Sequence, residues 1–114
     1  MNAFRIYLAV LFLSIVAYTA VVIANHGMDL FGDFLGDMAR MGWPGQFNLD
    51  FMGMLSLSGL WIAWRNHFSP LGLGLGVLGF FGGAPVLTAY LLFASIQANG
   101  DMKEILLGKE RAQA

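Results

Sequence analysis

Three apolar stretches, residues 4–24, 49–64 and 71–97, occupy more than half of this 114-residue chain, and no other feature constrains its fold as tightly. Stretches of about 17–25 predominantly apolar residues match the hydrocarbon thickness of a bilayer. Inside lipid a backbone finds no water to bond, so it must close its own hydrogen bonds as helix. The expectation is an all-α fold, an integral membrane three-helix bundle forming one transmembrane domain over residues 1–114. Hydrophobic residues make up 58% of the chain and charged residues only 11%, too few to clothe a soluble fold of this length. The lipid bilayer is the first expected partner.

Several function classes fall away at once. A formal charge of −1 with no run of Lys or Arg gives no field for nucleic acid. The absence of Cys excludes disulfides, thiolate metal sites, iron–sulfur clusters and Cys nucleophiles. No nucleophile–base pair, metal-ligand cluster or cofactor fingerprint occurs, so no catalytic, cofactor-binding or metal residue is assigned and the expectation is a protein that is not an enzyme. Which cofactor the chain would carry, if any, is not legible.

The first stretch competes with a secretory signal, because Arg5 precedes it and Val22-Ile23-Ala24 offers a small-residue cleavage site. Its uncharged length exceeds an h-region of about 7–15 residues, which favours a retained helix. Ala17, Ala20 and Ala24 give it a strip suited to close helix contact. Residues 28–41 then show a helical period, with apolar positions at 30, 31, 34, 35, 38 and 41 and aspartates at 29, 33 and 37. That pattern predicts an amphipathic interfacial helix between the first two spans, its acidic face in water. A turn at Trp43-Pro44-Gly45 follows, with Trp43 as an interfacial anchor.

The second span carries Asp50, a carboxylate at a membrane end. Such a group belongs against protein or a polar vestibule, as an ion or proton relay, or else it is a first-turn carboxylate with Asn48 as helix cap. Along this helix Asp50, Met54, Leu57, Trp61 and Trp64 share one face, and Ser56, Gly59 and Ala63 the opposite one. The third span is glycine-rich. Gly72, Gly76, Gly79 and Gly83 fall on one stripe that admits another helix closely, either the Ser56/Gly59/Ala63 face or a membrane-protein partner or second copy of the chain. Pro85, beside Gly82-Gly83, is expected to kink this helix near mid-membrane. Asn99-Gly100 closes it, and residues 99–114 form a short tail.

Three crossings put the chain's two ends on opposite sides. His26 and His67 are then separated by most of the bilayer and cannot share one metal or haem. Asn25, His26, Trp43, Gln46, Asn48, Asp50, Gln97 and Asn99 gather on the loop side, and Arg5, Tyr7, Arg65, Asn66 and His67 on the other. Orientation is contested, since Arg5 and Arg65 favour N-inside while Arg40, Lys103, Lys109 and Arg111 favour the reverse. The acidic loop tips the balance to N-inside.

The runs Trp43-Pro44…Phe47-Asn48-Leu49-Asp50-Phe51, Gly59-Leu60-Trp61…Trp64-Arg65 and Gly83…Thr88-Ala89-Tyr90-Leu91-Leu92 resemble small bacterial three- to four-helix integral membrane proteins of unknown function. The resemblance covers about residues 4–98. It implies a bacterial cytoplasmic (inner) membrane and directs attention to Trp43, Asp50, Trp61 and Tyr90, but supplies no activity. Asp50, Trp43, His26 and Tyr90 are accordingly the candidate polar site. Two functions stand: a non-enzymatic accessory or structural subunit packed on a larger membrane complex, and an oligomeric small-solute or ion transporter or channel with Asp50 in its pathway.

Overall fold

A computed structural model describes residues 2–27 and 30–113, apart from the side chain of Phe31. Among the described residues every regular element is helical: α1 (Asn2–His26), α2 (Leu30–Ala39), α3 (Trp43–Arg65), α4 (Pro70–Gly82), α5 (Ala84–Gln97), α6 (Met102–Leu107) and α7 (Lys109–Gln113). Met28 and Asp29, expected to open the interfacial helix, lie outside the described residues.

The helix α1 has 25 residues, spans about 37 Å at 1.5 Å per residue, and is the described helix that combines the length and the apolarity needed to cross a bilayer. With 23 residues α3 matches it in length, about 34 Å, but falls short in apolarity because its first half carries Gln46, Asn48 and Asp50. It begins at Trp43, with Gly42 as N-cap and a proline in its first turn, where the missing N–H has no intrahelical acceptor to lose. The turn expected at Trp43-Pro44-Gly45 is therefore helix, and the chain turns one step earlier, where Met41 takes a φ of 58°. Gly45 lets α2 cross closely, since a Cβ there would stand 2.5 Å from the Asp37 carbonyl oxygen and 2.8 Å from Met38 Cα. Asn48 Nδ2 donates to the Phe34 carbonyl at 3.1 Å and ties the two helices together.

The third apolar stretch is not one span. It divides at Gly83, whose φ of 67° and ψ of −148° lie in a region essentially reserved for glycine. Pro85 sits in the first turn of α5 and starts a new helix instead of kinking an old one. The two arms, 13 and 14 residues, are each about 20 Å long and too short to cross a 30 Å core. They form a helical hairpin. Gly72 sits beside Asn66, Gly79 beside Ile62 and Gly83 beside Phe51 and Leu55, so α4 descends along α3. Tyr90 then hydrogen-bonds Arg65 and Asn66, so α5 has climbed back to the level at which α4 began. The turn that launches α4 uses Ser69 as N-cap, its Oγ accepting from the Gly72 N–H at 3.0 Å.

Contact between α3 and α4 is made by backbone. A Cβ on Gly59 would lie 2.7 Å from the Gly76 carbonyl oxygen, and one on Gly76 would lie 2.7 Å from that of Gly59. Gly72, Gly76 and Gly79 are buried in this seam. The helix that the glycine stripe admits is thus the chain's own α3, and a face for a second protein has to lie elsewhere.

Because α5 returns, the ends of the chain come together. Ala94, Ala98 and Ile105 form a buried cluster against which Phe4 and Leu91 pack, joining the start of α1, the end of α5 and α6. Gln97 and Asn99, expected on the loop side, stand instead at the end that holds Arg5, Arg65 and His67. The start of α1 and the tail helices α6 and α7 stand at one end of the molecule because the chain reverses at Gly83.

Candidate functional site

The candidate residues do not converge. Trp43 is 72% exposed at the start of α3, with its ring 6.1 Å from that of Phe47. Asp50 and His26 are exposed near the same end. Asp50 is the eighth residue of α3, beyond the first turn, and Asn48 is spent on α2, which removes the capped-carboxylate reading. Tyr90 belongs to the other end of the molecule. Its hydroxyl accepts from Arg65 Nη1 at 2.9 Å and from Asn66 Nδ2 at 2.8 Å, and its ring meets Trp61 edge-on at 5.8 Å.

The best-built polar arrangement is therefore at the tail end, around Arg65. Its Nε donates to the Ile105 carbonyl at 2.6 Å and its Nη2 to that of Glu104 at 3.3 Å, while the guanidinium lies 5.5 Å from the centre of the Tyr90 ring. Trp61 Nε1 donates to the Leu106 carbonyl at 2.9 Å. These three carbonyls belong to the last turn of α6; that of Glu104 also accepts from the Gly108 N–H at 2.8 Å, while those of Ile105 and Leu106 lie where the helix has run out of its own N–H donors. A cation there also opposes the negative end of the helix dipole. Arg111 reaches back from α7 to the Trp64 carbonyl and stacks 3.9 Å over the Trp64 ring. At the neighbouring edge Arg5 clasps the fully buried Ser95, with Nε to Oγ at 3.1 Å and Nη2 to the backbone oxygen at 2.9 Å.

Chemically this centre positions helices. Its cation is held on backbone carbonyls and one phenol, and among the described residues no carboxylate pairs with it. Among the described residues no buried side-chain nitrogen or oxygen lacks a partner, and no three His, Asp or Glu side chains gather as metal ligands. Sequence reasoning missed the Arg65 and Arg5 contacts because they join residues 25 to 90 positions apart, for which helical period carries no signal. The mid-helix Tyr90 hydroxyl was the one hint that a polar partner must exist.

At the loop end an apolar groove of about 400 Å³ opens between α2, α3 and α4, lined by Phe34, Phe51, Met52, Leu55, Phe80 and Phe81, with Asn48 as a polar member of the lining. No protein-family model, no curated protein and no solved structure matches the chain.

Proposed function

We propose that the chain is a non-enzymatic integral membrane protein that serves as an accessory or structural subunit packed against a larger membrane assembly. The observation that carries this reading is the amount of apolar surface the fold leaves uncovered. Its accessible surface of 7798 Å² exceeds the roughly 6100 Å² usual for a soluble monomer of 12.4 kDa. Its radius of gyration, 16.0 Å, exceeds the roughly 13 Å of a compact domain of 114 residues. In α1 Leu8 alone is buried, while Leu13 is 63% and Tyr18 75% exposed, and on α3 Met54 and Leu57 are more than 60% exposed. Each such side chain left in water would forgo about 1.5–3 kcal/mol. Lipid and a neighbouring membrane protein are the two media that cover such faces. The long dimension of 48 Å suits a bilayer of about 40–45 Å including headgroups.

With the glycine stripe engaged internally, the outward faces of α1 and α3 are where a larger partner would pack. Alkaline carbonate extraction should leave the chain in the membrane pellet. Purification in a gentle detergent followed by native mass spectrometry should recover it in a defined complex with other membrane proteins. Recovery as a lone monomer or homo-oligomer would reject the subunit reading. The transport alternative requires Asp50 in a pathway, and liposome flux lost in Asp50→Asn would restore it.

A further inference from the structure

The folded arrangement sorts the charges that the linear sequence mixes. At the tail end stand Arg5 at the start of α1, Arg65 at the end of α3, and Lys103, Lys109 and Arg111 on α6 and α7, which Arg65 and Trp61 hold against that end. Asp101, Glu104 and Glu110 accompany them, so five basic groups face three acidic ones. The loop end has Arg40 as its basic side chain, paired to Asp37 at 2.8 Å, together with Asp33 and Asp50. The conflict in the basic-residue count came from assuming that the third stretch crosses. Once Gly83 turns the chain back, Lys103, Lys109 and Arg111 move to the side of Arg5 and Arg65.

Depth supports the same arrangement. Arg5 lies level with Ser95, and Phe12 and Val16 share a cleft with Pro85, Val86 and Ala89, so α1 runs antiparallel to α5 and continues past the hairpin tip. The tip meets α3 at Phe51 and Leu55, near the middle of that helix. The hairpin thus enters from the tail end, reaches about half-way and leaves by the same face.

We propose that the chain inserts as two crossing helices, α1 and α3, with α4 and α5 as a re-entrant hairpin. Both termini and the docked tail face the anionic cytoplasmic leaflet, and α2 lies on the opposite surface. Basic residues in short segments next to membrane helices stay cytoplasmic, and anionic lipid attracts them there. The free ammonium groups of Lys103 and Lys109, both exposed, are the contacts to that leaflet.

This inference rests on the membrane reading above, and the test separates the two. The chain has no cysteine, so single substitutions report without background. Asn2→Cys, Asp33→Cys, Phe81→Cys and Gln113→Cys are expressed in a bacterial inner membrane and treated with a membrane-impermeant maleimide, before and after lysis. The expected result is labelling of position 33 in intact cells, of positions 2 and 113 only after lysis, and of position 81 in neither case. Positions 2 and 113 labelling on opposite sides would overturn the re-entrant hairpin, and position 33 labelling only after lysis would overturn the leaflet assignment. Release of the chain by alkaline carbonate would reject the membrane reading itself. As a second arm, Lys103→Glu with Lys109→Glu should raise the fraction labelled at position 113 in intact cells several-fold. An unchanged fraction would overturn the role of those two lysines.

Discussion

Replacing Gly76 with alanine should loosen α4 from α3, while the same change at Gly74 should not. A Cβ at position 76 would stand 2.7 Å from the Gly59 carbonyl oxygen and 3.3 Å from Ala63 Cβ. Carbon–oxygen contacts between packed helices settle at about 3.3–3.6 Å, so the shortfall is roughly 0.6–0.9 Å. The obstacle is the opposite helix's backbone, which cannot rotate aside as a side chain could, so α4 itself has to move. Overpacking of this kind costs about 1–3 kcal/mol. Against it stands the gain of roughly 1 kcal/mol when alanine replaces glycine in a helix interior. At Gly74 a Cβ meets nothing within 4 Å, so that position receives the gain without the clash. Both residues lie inside α4, and the propensity term cancels in their difference. Gly76→Ala should therefore be less stable than Gly74→Ala by about 1–3 kcal/mol. Denaturant titration in mixed micelles, followed by the fluorescence of Trp61 and Trp64, measures it. Equal stabilities for the two variants would refute the packing of α3 on α4 through glycine.

Three further outcomes follow from the hairpin and the tail. Gly83→Ala forces a side chain into a backbone region that L-residues shun, at a cost of about 1–3 kcal/mol, which should appear as a lower unfolding midpoint and increased protease access at the tip. Gly82→Ala would drive a methyl into the stiff, β-branched side chain of Val86, so Gly82→Ala should destabilise alone and be largely rescued by Val86→Ala in a double-mutant cycle on the same titration. Arg65→Met removes the donors from the Glu104 and Ile105 carbonyls and should weaken tail docking by at least about 1.5–3 kcal/mol, the range for one hydrogen bond to a charged group. Faster tryptic cleavage at Lys103 and Lys109 with unchanged total helicity checks it.

Much of the local structure was written in the chain. Asn99 and Gly100, with φ of 53° and 83°, follow the end of α5 as residue types that tolerate a left-handed backbone, and the period of residues 30–41 is the helix α2 over its described part. Helix starts were read less well. Trp43-Pro44-Gly45 carries turn residues, yet proline is equally at home in a first helical turn, and only the crossing of α2 over Gly45 separates the two uses. The candidate polar site does not come together, because the resemblance that named Tyr90 beside Asp50 says nothing of which end of the molecule each occupies, and Tyr90 bonds to Arg65 and Asn66 at the end away from Asp50.

The sequence by itself determined that the chain would be helical and rich in apolar surface, because hydropathy and period act within a few turns of one residue. It also determined where backbones could approach, since a glycine stripe is visible as spacing. Which helix fills that stripe, which end of the molecule each charge joins, and whether residues 71–97 run on as one helix or return were decided by tertiary structure. The last two turn on the conformation of Gly83. A glycine admits both the helical and the reversed backbone at little difference in local energy, so the seating of α4 on α3 and the clasp of Arg65 on Tyr90 and α6 make the choice.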